Sequence, residues 1–121
     1  MTAQNGAGVF DEDCPSRLVL NHVASRWGTL IVSALRQGPL RFHALRDRIG
    51  GISEKMLSQT LRQLVEDGLV ERTVEPTTPP RVSYELTPLG GELAGHVQAL
   101  LDWITLRADE IVAARSRHRP G

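Results

Sequence analysis

Apolar positions recur along most of the chain at helical spacing and, over one short stretch, at every second residue. Pro15 suits a first helical turn, because the N–H it lacks would be unpaired there. Leu18, Val19, His22 and Val23 then follow on one face, which predicts a helix from about Pro15 to Ser25. A second helix, about Trp27 to Arg36, presents Leu30, Ile31, Ala34 and Leu35 and stops at Gly38-Pro39. Phe42, Leu45 and Ile49 mark a short third helix ended by Gly50-Gly51. Ser53 is placed to cap a fourth, with Glu54 in the first turn where the helix dipole favours a negative charge. That helix runs to about Asp67 on an apolar stripe of Leu57, Leu61, Leu64 and Val65, and Gly68 is its stop.

After Gly68 the period falls to two. LVERTVE and RVSYELT alternate on either side of TTPP, which predicts a two-stranded antiparallel hairpin whose proline tip projects, since proline cannot join a ladder. Thr87 can cap a last helix from Pro88 to about Arg115. Its stripe of Leu89, Leu93, Val97, Leu100, Leu101, Ile104, Ala108 and Ile111 is longer than a domain this size covers alone, so part of it calls for another chain.

Helix, glycine-containing turn, helix is the helix-turn-helix layout, and a hairpin behind three helices makes it a winged helix. The predicted fold is mainly α with a small β-hairpin: a winged helix-turn-helix DNA-binding domain. The chain of 121 residues is one domain of ordinary size, 40% hydrophobic and 23% charged, with no apolar run long enough to span a membrane. The start, MTAQNGAGVFDEDCP, has no basic region leading into an apolar stretch, which predicts a cytoplasmic protein with no membrane partner. Net charge is zero, which by itself speaks against a partner held by electrostatics. The distribution reverses that: between Arg41 and Arg62 the bases Arg41, Arg46, Arg48, Lys55 and Arg62 outnumber the acids Asp47 and Glu54.

The fourth helix locates the chemistry. With Leu57 at zero and about 100° per residue, Lys55, Gln59, Arg62 and Gln63 fall within about 60° of the direction opposite the stripe. Lys and Arg can donate to guanine edges or phosphates, Gln can pair with adenine, and Ser58 at the flank serves either. Lys55, Ser58, Gln59 and Arg62 are thus the candidate base readers. Arg81 at the wing, Arg41 and Arg46 on the preceding segment, and Ser53 at the helix start are candidate phosphate contacts. The plain alternatives are a solvated polar face for the helix and, for Arg81, a cross-strand ion pair with Glu75 or Glu71.

Other chemistries find less support. His22, His43, His96 and His118 have no metal-ligand spacing, and one cysteine cannot complete a zinc site, so neither metal nor cofactor is expected. No phosphate loop, nucleophile elbow or paired carboxylates suggest an enzyme. A winged helix used only to dock proteins, without a DNA role, is the alternative function. Trp27 is expected in the core and Trp103 in the core or an interface.

Several segments together resemble the HxlR-type winged helix-turn-helix regulators of bacteria, relatives of the MarR group. They are Cys14-Pro15, RWGTLIVSAL around Trp27, RFHALRDRIGGISEKMLSQTLRQL, EDGLVERTV, PPRVSYELTPLG, and Trp103 in the last helix. The resemblance covers residues 14–112, leaving 1–13 as a flexible N-terminal segment and 113–121 as a basic tail whose charges are either solvated or loose phosphate contacts. Ser25 and Arg26 stand where a family member often has Gly and Lys. The resemblance implies a homodimer joined through its first and last helices, with Leu18, Leu100, Trp103, Ile104 and Ile111 as interface candidates. The implied partner is a palindromic operator in double-stranded DNA, bound by a repressor or activator that answers to a small-molecule or electrophile inducer. In several relatives the equivalent of Cys14 senses quinones, aldehydes or oxidants. Here a helix N-terminus would favour the thiolate while Asp11, Glu12 and Asp13 oppose it, and simple packing is the alternative role for Cys14.

Overall fold

The helix stops and caps expected from the glycines and hydroxyls reappear in the computed structural model, which describes residues 8–118. Five helices, α1 (Pro15–Val23), α2 (Arg26–Ala34), α3 (Phe42–Arg48), α4 (Glu54–Glu66) and α5 (Pro88–Arg117), surround three strands, β1 (Leu40–Arg41), β2 (Val70–Glu75) and β3 (Arg81–Leu86). Short 3-10 turns precede α1 at Gly8–Phe10 and follow α2 at Leu35–Gln37. The Ser25 hydroxyl accepts the Gly28 N–H at 3.0 Å, so Ser25 caps α2 instead of extending the first helix as expected. Order also begins before Cys14. Arg17 donates to the carbonyls of Val9 and Phe10, both at 2.8 Å, and pins the turn that precedes the helix. Residues 1–7 of the expected flexible segment, and 119–121 of the expected tail, lie outside the described residues. Residues 113–117 of that tail continue α5.

The sheet has three strands in the order β1-β3-β2, all antiparallel, where alternation predicted two. Leu40 lies opposite Tyr84 and Arg41 opposite Ser83. A two-residue strand carries no periodicity to read, which is why it escaped the pattern. Its effect is to fasten the wing to the segment entering α3.

The core lies between α2, α3, α4, the base of the wing and the first turns of α5, with Ile31, Leu45, Leu57 and Leu64 wholly buried. Gly68, at φ 75°, ends α4: its N–H donates to Val65 O and that of Leu69 to Leu64 O, each at 3.0 Å, which satisfies the last carbonyls of the helix. Leu69 then enters β2 directly beneath α5.

There the packing departs from the predicted stripe. α5 buries the expected Val97, with Leu93 and Leu101 half-buried against the core, but it also turns Gly90 and Ala94 inward and leaves Leu89 exposed. A Cβ on Gly90 would lie 2.0 Å from the Leu69 carbonyl oxygen, so helix and strand meet backbone to backbone and only small side chains fit between them. Trp27 is half-buried against the core, with the Arg26 guanidinium 4.2 Å above its ring.

Candidate nucleic-acid interface

Two hydrogen bonds define how α4 is presented. Ser53 accepts the Met56 N–H at 3.0 Å as the N-cap, and the Thr60 hydroxyl donates to Met56 O at 2.8 Å. The second lets Thr60 bury its hydroxyl without leaving it unpaired. The buried face is therefore Leu57, Thr60, Leu61 and Leu64, with Val65 half-buried at its margin; Thr60 is the member the apolar stripe omitted.

Opposite that face, Lys55, Ser58, Gln59 and Arg62 are exposed, and with Gln63 and Glu66 they line one surface depression. The four expected base readers stand together. Glu66 was not singled out, although the same helical stepping places it on this face. Its carboxylate would repel phosphate and can accept from a cytosine amino group, so the face carries bases at Lys55 and Arg62 and an acid at its C-terminal end. Ser53 uses one acceptor lone pair on the cap and keeps the other, and a hydroxyl proton to donate.

The expected phosphate contacts divide. Arg41 is exposed on β1 beside Ser83. Arg46 pairs with Glu54 across the turn between α3 and α4, so its charge is already matched. Arg81 is exposed and lies opposite Glu75 in the last pair before the loop of residues 76–80, beside the projecting tip. Among the described residues it forms no ion pair. The strands of the wing carry Glu71, Glu75 and Glu85 against Arg72 and Arg81, with Glu71 directly facing Glu85. As a whole the wing is thus not basic, and Arg81 at its projecting end is the group best placed to meet a phosphate.

A second surface lies away from this one. α1 buries none of its residues, and Leu18 and Leu20 are exposed there. Beyond Val97, α5 buries none either, leaving Leu100, Trp103 (55% exposed), Ile104, Leu106, Ile111 and Val112 open. Between the two helices an apolar cleft of about 690 Å³ is lined by Val19, Leu20, Val23, Leu69, Leu89 and Leu93, with Glu92 and His96 also in its wall. Cys14 is a half-buried free thiol at the N-cap of α1. No helix is long and apolar enough to cross a membrane among the described residues.

A model of the HxlR-like helix-turn-helix family matches residues 22–112. Escherichia coli YtfH, named as an uncharacterized HTH-type transcriptional regulator, is 54% identical over 107 residues, 88% of this chain and 85% of that protein. A solved structure of ytfH from Salmonella typhimurium, named as a transcriptional regulator, has a TM-score of 0.86 at 51% identity, covering 90% of this chain and 97% of that one. The structure of diamide-treated YodB from Bacillus subtilis is similar at a TM-score of 0.66 and 36% identity, covering 77% of this chain and 93% of that one.

Proposed function

The chain belongs to the HxlR-like helix-turn-helix family and is a transcriptional regulator, and from that premise we propose that it works as a homodimeric repressor on an inverted-repeat operator. The observation that carries this reading is the division of α4: one face is locked in the core while Lys55, Ser58, Gln59 and Arg62 stand free on the other. A rigid helix with donors and acceptors on its outer face suits the major groove. Arg81 and Arg41 hold the backbone on either side.

Dimerisation is supported by the apolar length of α1 and α5. Leu18, Leu100, Trp103, Ile104 and Ile111 are too many large side chains to leave in water, and a second copy supplies the same residues in return. Two copies set their α4 helices about 34 Å apart, one turn of DNA, or a multiple of it. Cys14 adds a second level to the reading. With one cysteine in the chain, any disulfide it forms with another copy joins two protomers, and the two electrons released pass to the oxidant. A contact of that kind at the start of α1 would change the dimer and, through it, operator affinity.

The test is selection from a randomised duplex pool with and without diamide, using wild type and Cys14→Ser. An enriched inverted repeat is expected, lost on oxidation in wild type and retained in Cys14→Ser. No enriched sequence would instead favour the protein-docking alternative, and enrichment indifferent to diamide would leave Cys14 as a packing residue.

A further inference from the structure

The last turn of α4 is where the base-reading helix meets both helices assigned to dimerisation. α5 is fastened there through the main chain: the Thr87 N–H donates to Leu69 O at 3.1 Å, the Thr87 hydroxyl donates to Gly68 O at 2.6 Å, and Gly90 abuts Leu69. α1 is fastened differently. Of its residues only Val23 packs against the core. Among the described residues its one side-chain hydrogen bond to the α4 segment is from His22 Nδ1 to Oδ2 of Asp67, the C-cap residue, at 2.7 Å. Both side chains are largely withdrawn from water, at 15% and 13% exposure.

The His22 main chain is itself immobilised. Ser25 donates its hydroxyl to the His22 carbonyl at 3.1 Å, and Gly28 lies so close that a Cβ there would be 2.0 Å from that oxygen. The Thr29 hydroxyl holds the next carbonyl, of Val23, at 2.8 Å. The imidazole therefore projects from a fixed point and grips the end of the reading helix.

We propose that the His22–Asp67 pair is a positioning contact that sets the angle between α1 and α4 and thereby selects the spacing of operator half-sites. The proposal rests on the dimeric, DNA-binding reading above. Changing the spacing by one base pair moves the half-sites about 3.4 Å, or about 1.7 Å per protomer, and also turns them about the DNA axis. A hydrogen bond of 2.7 Å does not survive a displacement of that size. With the pair intact, the dimer is held to one spacing; without it, α1 stays hinged at the His22 and Val23 carbonyls but loses the side-chain tie that fixes its tilt towards α4.

The test uses the full chain and its selected operator, with the spacer lengthened or shortened by one and two base pairs, and reads affinity by fluorescence anisotropy. His22→Ala is expected to narrow the preference for the selected spacing by about tenfold while leaving affinity for an isolated half-site unchanged. Asp67→Ala, which removes the partner from the other side, is expected to give the same profile. His22→Asn keeps a nitrogen donor one bond from Cγ, as Nδ1 is, and is expected to retain the wild-type preference. Wild-type spacing discrimination in both alanine variants, whatever happens to their thermal midpoints, overturns the proposal, as does His22→Asn behaving like His22→Ala. Should the wild type select no inverted repeat at all, the dimeric-operator reading falls and takes this one with it, which distinguishes the two failures.

Discussion

Replacing Gly90 by alanine changes one methyl group at the point where α5 crosses Leu69. The new Cβ would lie 2.0 Å from Leu69 O, 3.0 Å from its carbonyl carbon and 3.2 Å from Leu86 Cδ2. Ordinary carbon-to-oxygen contacts begin near about 3.3 Å, so α5 must withdraw by more than about 1 Å. That movement pulls on the Thr87 bonds to Leu69 O and Gly68 O, which are the anchors of the helix. Overpacking costs about 1–3 kcal/mol and a weakened hydrogen bond about 1 more, against about 0.5–1 gained from replacing glycine in a helix. The net loss is about 2–3 kcal/mol, or about 8–12 °C in Tm for a domain of this size. Gly91 is the control, because a Cβ there meets no atom within 4 Å. Gly91→Ala should raise Tm by about 2–4 °C through helix propensity alone. Far-UV circular dichroism melts at one fixed protein concentration make the comparison, since the proposed dimerisation would couple Tm to concentration. A Gly90→Ala midpoint equal to or above that of Gly91→Ala would refute the close approach.

Three further outcomes follow from the two surfaces. Arg62→Ala is expected to lower operator affinity by about 1–3 kcal/mol and to flatten preference at one base position; an equal loss on scrambled DNA would remove its base-reading role. Arg81→Ala should weaken binding to all sequences and make the salt dependence shallower by about one unit of slope, and an unchanged slope would speak against a phosphate contact. Trp103→Glu combined with Ile104→Glu should shift sedimentation velocity profiles from dimer to monomer; a wild type already monomeric at micromolar concentration contradicts the assigned interface.

Much of the exposed face of α4 was legible because helix geometry alone decides it. Once Leu57, Leu61 and Leu64 are core, Lys55, Gln59 and Arg62 have only solvent to face, and Ser53 and Thr87 announce their caps by side-chain chemistry. What stayed hidden depends on contacts distant in the chain. Hydropathy ranks leucine above glycine, yet α5 turns Gly90 and Ala94 inward because the Leu69 backbone leaves no room for more. Thr60 reads as polar and is buried, since its own helix supplies the acceptor. Leu40–Arg41 is too short to show a period, and the register that sets Arg81 opposite Glu75 belongs to the hairpin as a whole. His22 and Asp67 stand 45 residues apart, with no local signal joining them.

The order of the sheet carries a consequence for a molecule that exposes so much apolar helix. β3 lies in the middle, so the open edges belong to β1 and β2. β1 offers two residues, too few to template another strand, and β2 carries Glu71, Arg72 and Glu75 and runs straight into Pro76, which has no N–H to donate. Neither edge invites strand addition. Strand addition is thereby blocked at both margins, which leaves the exposed apolar faces of α1 and α5 as the surfaces on which the proposed pair of copies would close.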